Sequence, residues 1–163
     1  FEVGQALNNA MKATRFGFPF FYYPLKLKGW YKYKAGANFS SKGEIIEGRK
    51  DKCDIYGVLY ETDDNVQFLD GSTSLTSPNI VALAQNLDAL PETDNWKEFS
   101  FKFEPQNGKS IDPNKLMKGI YKLGIVFSSS ADGAKFEGAV GSTLYIDKVV
   151  IEHTSNPSEY PAN

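Results

Sequence analysis

Cysteine and histidine are nearly absent from this chain. One Cys and one His stand among 163 residues. A single Cys makes no internal disulfide, and one Cys with one His builds no zinc cluster. A single His leaves at most one place for histidine-based acid–base chemistry. No run of about 20 apolar residues occurs, which excludes a transmembrane helix. Neither sign of charge is in excess: 18 Lys and Arg stand against 20 Asp and Glu, for a net charge of −2. A duplex nucleic-acid binder needs a basic face, so that class is disfavoured. The chain opens on Phe1-Glu2-Val3, with no initiator Met and no charged-then-apolar signal segment. It reads as a piece of a longer precursor, so the missing signal leaves export open. A lone Cys fits an exported protein and a cytosolic one equally.

Aromatic residues are plentiful: 12 Phe, 9 Tyr and 2 Trp make up 14% of the chain. The length supports one self-standing core, and residues 1–163 are read as a single domain. The dominant period is 2. In Leu25–Lys34, Leu25, Leu27, Tyr31 and Tyr33 share one parity, and Lys26, Lys28, Lys32 and Lys34 share the other. That is a strand with one buried and one wet face. Phe99, Phe101 and Phe103 repeat the pattern, and Tyr121–Phe127 does so less strictly. Ile55–Tyr60 is apolar on both parities, as in a central strand covered on both sides or facing a groove. Ile80–Leu83 reads as a short strand. Leu144 and Ile146 lie on one parity and Val149 and Ile151 on the other, which predicts a β-bulge near Asp147-Lys148.

Asp70-Gly71, Asn107-Gly108 and Asp132-Gly133 mark turns. Asp112-Pro113 predicts one helical turn through Met117, with Asp112 as N-cap. Gln5–Thr14 has a weak helical face. The tail from His153 through Pro161 is polar and is expected to fray. Many short strands with Gly-marked turns predict an all-β, two-sheet antiparallel β-sandwich, with a jelly roll as the favoured form.

The chemistry-bearing groups are few. His153 follows the last strand, no G-x-S-x-G elbow exists, and Ser128-Ser129-Ser130 precedes a turn rather than a helix. Cys53 reads as a small buried hydrophobe. A glycosidase needs only two acids, and Glu44, Glu47, Asp51, Asp54, Glu61, Asp63, Asp64 and Glu98 are available; no spacing singles out a pair. Asp147 lies within an apolar strand. A carboxylate buried there either accepts backbone N–H bonds at the bulge or ligates a calcium ion. Trp30 shares the parity of the lysines of its strand, and Trp96 shares that of Glu98, Ser100 and Lys102. Both tryptophans thus fall on nominally wet faces, where an indole stacks on a pyranose unless a loop covers it. Tyr22 and Tyr23, in an aromatic loop, and Tyr56 and Tyr60, on the doubly apolar strand, complete the candidate ligand contacts. The lysines around Trp30 resemble a basic–aromatic strand for single-stranded nucleic acid, but the net charge offsets them.

Three blocks together resemble a known family. They are Phe16-Gly17-Phe18-Pro19-Phe20 running to Leu27-Lys28-Gly29-Trp30-Tyr31-Lys32-Tyr33-Lys34-Ala35-Gly36, then Asp54-Ile55-Tyr56-Gly57-Val58-Leu59-Tyr60, then Ile125–Ser130 with Asp132-Gly133 and Phe136–Val149. The chain is similar over nearly its whole length to the putative carbohydrate metabolism domain. The resemblance implies a jelly-roll sandwich akin to carbohydrate-binding modules. It also implies the C-terminal part of an exported surface protein of Gram-negative gut anaerobes, often a lipoprotein with a lipid anchor. It carries over no catalytic residue. In carbohydrate-binding jelly rolls an Asp at the place of Asp147 ligates a structural calcium. The chain departs from the family where Pro19 is followed by Phe20-Phe21-Tyr22-Tyr23, since the family tends to have a small or polar residue there. The expected function is a non-catalytic glycan-binding domain, extracytoplasmic at the cell surface or in the periplasm. The alternatives are a structural β-sandwich without ligand and a glycoside hydrolase using a carboxylate pair.

Overall fold

The computed structural model describes residues 11–161. In chain order the strands are β1 (Phe18–Pro19), β2 (Tyr23–Lys34), β3 (Phe39–Ser41), β4 (Glu44–Ile45), β5 (Asp54–Glu61), β6 (Ile80–Gln85), β7 (Thr93–Lys102), β8 (Glu104–Pro105), β9 (Tyr121–Ser128), β10 (Glu137–Ala139) and β11 (Thr143–Thr154). A short helix, α1 (Pro113–Met117), precedes β9. Asp112 caps it, its carboxylate accepting from Asn114 N at 2.7 Å and Lys115 N at 3.3 Å. This satisfies N–H groups that the first helical turn leaves open. Of the weak helical segment 5–14, residues 11–13 are helical and residues 5–10 lie outside the described residues.

The described residues form three antiparallel sheets. A five-stranded sheet has the order β1-β9-β5-β6-β8, and a three-stranded sheet has the order β11-β2-β7. These two layers share the main core. Leu27, Tyr31 and Tyr33 of β2 and Phe99 and Phe101 of β7 belong to it with Ile55, Leu59, Val81, Tyr121 and Leu123 of the larger sheet. Phe99, Phe101 and Phe103 are all buried, as their shared parity predicts. Each such ring contributes about 2 kcal/mol by leaving water. Gly29 makes room for one of them, because a Cβ there would stand 2.7 Å from Phe99 Cζ. The architecture is therefore an all-β antiparallel sandwich. The strand orders do not by themselves establish a jelly roll.

The third sheet, β10-β3-β4, is small. It flanks one end of the sandwich, where the chain between β4 and β5 meets the β9–β10 loop through Ala131 N bonded to Lys52 O at 2.7 Å.

β5 is central, with β9 on one side and β6 on the other. Its inward residues Ile55 and Leu59 join the main core. Its outward residues Tyr56, Val58 and Tyr60 make a second core with Leu69 and Ile80, under the 62–79 connection. That double burial is why both of its parities are apolar.

The predicted bulge is present. Asp147 pairs with Trp30, but the next pair is Val150 with Lys28, and Lys148 takes φ 51°. The extra residue flips the parity of β11.

The tail differs from expectation. β11 runs through Thr154, Pro157–Glu159 form a 3-10 turn, and Tyr160 packs against Tyr23 with ring centroids 5.8 Å apart. One aromatic side chain docked on the core holds down an otherwise polar segment. Phe127 also differs. It shares the parity of the buried Tyr121 and Leu123 of β9 and pairs with the buried Ile55, yet it is exposed.

Candidate functional site

Two surfaces have the makings of a site, one on each outer face of the sandwich. The first is the outer face of β11-β2-β7. Because Leu27, Gly29, Tyr31 and Tyr33 turn inward, Trp30 and Lys32 turn outward. Register then sets their neighbours. Trp30 lies between Asp147 of β11 and Glu98 of β7. In the next row the Lys32 ammonium stands 5.0 Å from the Trp96 ring centroid and 5.2 Å from that of Tyr145. This is a cation held between two aromatic side chains on the two edge strands. Trp30 is 38% exposed, Trp96 45% and Tyr145 56%. Lys28 pairs with Glu152 at 3.6 Å on the same face, an exposed contact that contributes little to stability. A recess of about 190 Å³ opens beside Lys32, lined by Lys34, Thr93, Asp94, Thr143, Tyr145 and the buried Tyr33.

The second surface is a cleft of about 1430 Å³ at one end of the five-stranded sheet. Its floor holds Asp54 and Tyr56 of β5, Gln85 of β6 and Val126 of β9, and its walls are the segments around residues 49–52, 71–76, 87–92 and 130–135. Most carboxylates lining it are engaged. Asp51 accepts from Ser130 Oγ and Ser142 Oγ at 2.6 Å each and from Ala139 N and Lys52 N at 2.9 Å each, so it pins the β10–β11 turn in place. Asp132 pairs with Arg49 and Lys135, Asp88 with Lys52, and Glu92 with Lys50. Asp54 is different. It is 4% exposed, its Oδ2 accepts from Gln85 Nε2 at 2.7 Å, and its buried Oδ1 has no partner. Burial raises its pKa above the usual carboxylate value, against the Gln85 bond, which lowers it.

The family profile described as "Putative carbohydrate metabolism domain" matches residues 1–152. The chain belongs to this family. Among solved structures, it is similar to one described as a putative glycoside hydrolase from Bacteroides thetaiotaomicron, with 47% identity and a TM-score of 0.88 over 96% of this chain and 46% of that one. It is also similar to one described as a putative glycoside hydrolase from Bacteroides vulgatus, with 44% identity and a TM-score of 0.82 over 94% of this chain and 61% of that one. The chain thus spans less than two thirds of the length of either. No curated protein matches it.

Within this carbohydrate metabolism domain, the aromatic candidates read from the sequence part company. Trp30 and Trp96 share one face. Tyr22 is exposed but stands near the other end of β2, stacked on His153 with ring centroids 4.3 Å apart. Tyr23 and Tyr60 are core residues rather than ligand contacts: Tyr23 packs on Tyr160, and the Tyr60 hydroxyl donates to the Phe16 carbonyl. Tyr56 is buried at the cleft floor, its hydroxyl bonded to Ser74 Oγ at 2.8 Å. Of the aromatic loop after Pro19, Phe21 and Tyr22 are exposed while Phe20 and Tyr23 are buried. Tyr145 is the exposed aromatic residue of this face that sequence reading did not single out. Its signal was present, since it alternates with the inward Leu144 and Ile146.

Asp147 is exposed rather than buried, and its Oδ1 accepts from Lys148 N at 2.8 Å within the bulge. Among the described residues no group of three or more His, Cys, Asp or Glu is placed to hold a metal ion. His153 and Ser128 are not brought together as a catalytic pair: the imidazole contacts Tyr22 and Phe20, and the Ser128 hydroxyl donates to the Ser130 carbonyl at 2.7 Å. Glu61 is paired with Lys115 at 2.6 Å, and Asp63 accepts from Asn65 N and Val66 N. No described helix is long and apolar enough to cross a membrane.

Proposed function

We propose that this is a non-catalytic glycan-binding domain of an extracytoplasmic, cell-surface protein, and that its ligand lies across the outer face of β11-β2-β7. The observation that carries this reading is the set of three exposed aromatic side chains, Trp30, Trp96 and Tyr145, on three adjacent strands. Flat apolar rings with Glu98, Asp147 and Lys28 beside them match the two surfaces of a sugar, its C–H face and its hydroxyls. Membership of a carbohydrate-related family supports the same reading. A purely structural sandwich would need both tryptophans covered, which their exposure argues against.

Calorimetry with a panel of plant and host oligosaccharides tests it. Trp30→Ala and Trp96→Ala are each expected to weaken binding about tenfold, the ~1.4 kcal/mol scale of one aromatic stack, with a cooperative melt above the assay temperature showing that each variant is folded. Binding that survives both substitutions unaltered, or no binding across the panel, overturns the reading.

A glycoside hydrolase is the second reading, favoured by the descriptions of the two structural neighbours and by Asp54 in the cleft. Hydrolysis by two acids needs a partner for Asp54. The other carboxylates lining the cleft are committed to hydroxyls, backbone N–H groups or cations. Release of reducing ends that Asp54→Asn abolishes would establish this second reading.

A further inference from the structure

Resting on the glycan-binding reading, the charge on this face points to the class of glycan. Ion pairs neutralise Lys28 on the same face and Arg49, Lys50, Lys52, Lys115 and Lys135 elsewhere. Among the described residues Lys32 and Lys34 make no ion pair, as is also true of Lys26 and Lys102 on the same sheet, but it is Lys32 and Lys34 that line the recess of about 190 Å³. They are two residues apart on one face of β2, so their Cα atoms lie roughly 7 Å from each other. Lys32 is held in place by Trp96 and Tyr145 rather than by an anion. That arrangement leaves Lys32 without a directly paired carboxylate and its ammonium partly desolvated, which strengthens its pull on an incoming anion, and the two lysines outnumber the one carboxylate of the recess. The other walls offer the hydroxyls of Thr93 and Thr143, one carboxylate from Asp94, and the Tyr145 ring. One row along, the surroundings change sign, because Trp30 stands between Glu98 and Asp147. An anion is repelled there, whereas a neutral sugar finds a ring to stack on and two carboxylates to accept its hydroxyls.

We propose that the face binds an acidic glycan. One anionic sugar sits in the recess with its charged group at Lys32 and Lys34 and its ring beside Tyr145. A neutral sugar lies next to it on Trp30.

The test uses the whole chain and three probes: oligogalacturonate, the same oligosaccharide with its carboxylates reduced to alcohols, and a sulfated galactan oligosaccharide. At least one anionic probe is expected to bind about tenfold tighter than the reduced one, with affinity falling as salt rises. The tighter of the two identifies carboxylate or sulfate. A Lys32→Met, Lys34→Met double variant is expected to bind the anionic probe no better than the reduced one, and Lys32→Arg to keep the preference. Methionine retains the apolar stem between Trp96 and Tyr145, and an unchanged thermal midpoint checks the fold. Equal binding of anionic and reduced probes, with Trp30→Ala still weakening both, overturns the acidic class and leaves the glycan-binding reading standing. A preference that survives the double variant overturns the assignment to Lys32 and Lys34. Failure of all three probes to bind overturns the proposal, and the wider oligosaccharide panel then judges the glycan-binding reading alone.

Discussion

Asp54 shows what one residue's surroundings do. Its carboxyl is buried at the end of a central strand with one oxygen bonded to Gln85 and the other unpartnered. Burial makes the charged form costly, so its folded pKa is raised above the value it returns to on unfolding. The native chain therefore holds this proton more tightly. The stability that follows is fully present below the ordinary carboxylate pKa and is lost as pH rises through the raised folded value. Asp54→Asn keeps an acceptor for Gln85 and removes the charge. Its thermal midpoint is expected to exceed that of the wild type at neutral pH, with the gap closing as pH falls into the ordinary carboxylate range. Parallel melting curves at every pH would contradict this. In the sequence Asp54 was one of eight acids with nothing to distinguish it. Burial and the missing partner come from packing, which no local pattern encodes. Asp147 makes the opposite point: the parity slip located the bulge, but not that its carboxylate would face water.

At the scale of elements, long strands were legible and short ones were not. Period 2 located the greater part of β2, β7, β9 and β11, and continuous apolar runs located β5 and β6; all six have 6 to 12 residues. β1, β3, β4, β8 and β10 have 2 or 3 residues, too few to show an alternation. They exist because a neighbour's backbone is there to pair with. The small residues of the Gly138-Ala139-Val140-Gly141 run admit a close approach of backbone, and the structure shows what approaches. Gly36, just past β2, lies against the Val140 carbonyl and 2.9 Å, by an added Cβ, from Ala139 Cβ, while its N–H donates to Ser142 Oγ at 3.0 Å. Gly36→Ala would drive a methyl group into backbone that Asp51 already pins. It is expected to destabilise the fold by about 1–3 kcal/mol, read as a lower urea midpoint at unchanged slope. A midpoint within error of the wild type would show that the β10–β11 turn can yield.

For the molecule as a whole, Cys53 provides a probe. It is fully buried in the main core, and burial pushes its thiol up to about 12. A thiolate is the reactive form, so the native protein is expected to resist a disulfide reagent at pH 8 and to react within seconds once denatured. Reaction of the folded protein at the rate of the unfolded chain would show that the core opens locally beside the cleft.

Sequence by itself determined the class of fold, the strands long enough to alternate, the bulge in β11 and the outward parity of Trp30 and Trp96. Those features are local, since successive side chains of a strand must point to opposite faces. Tertiary structure alone decided which outward groups meet. Trp96, Lys32 and Tyr145 come from three strands distant in the chain, and only the register of β7 and β11 on β2 brings the cation between the two rings. Register is settled by the shared core of both sheets, where a slip of one residue would turn every buried ring to water.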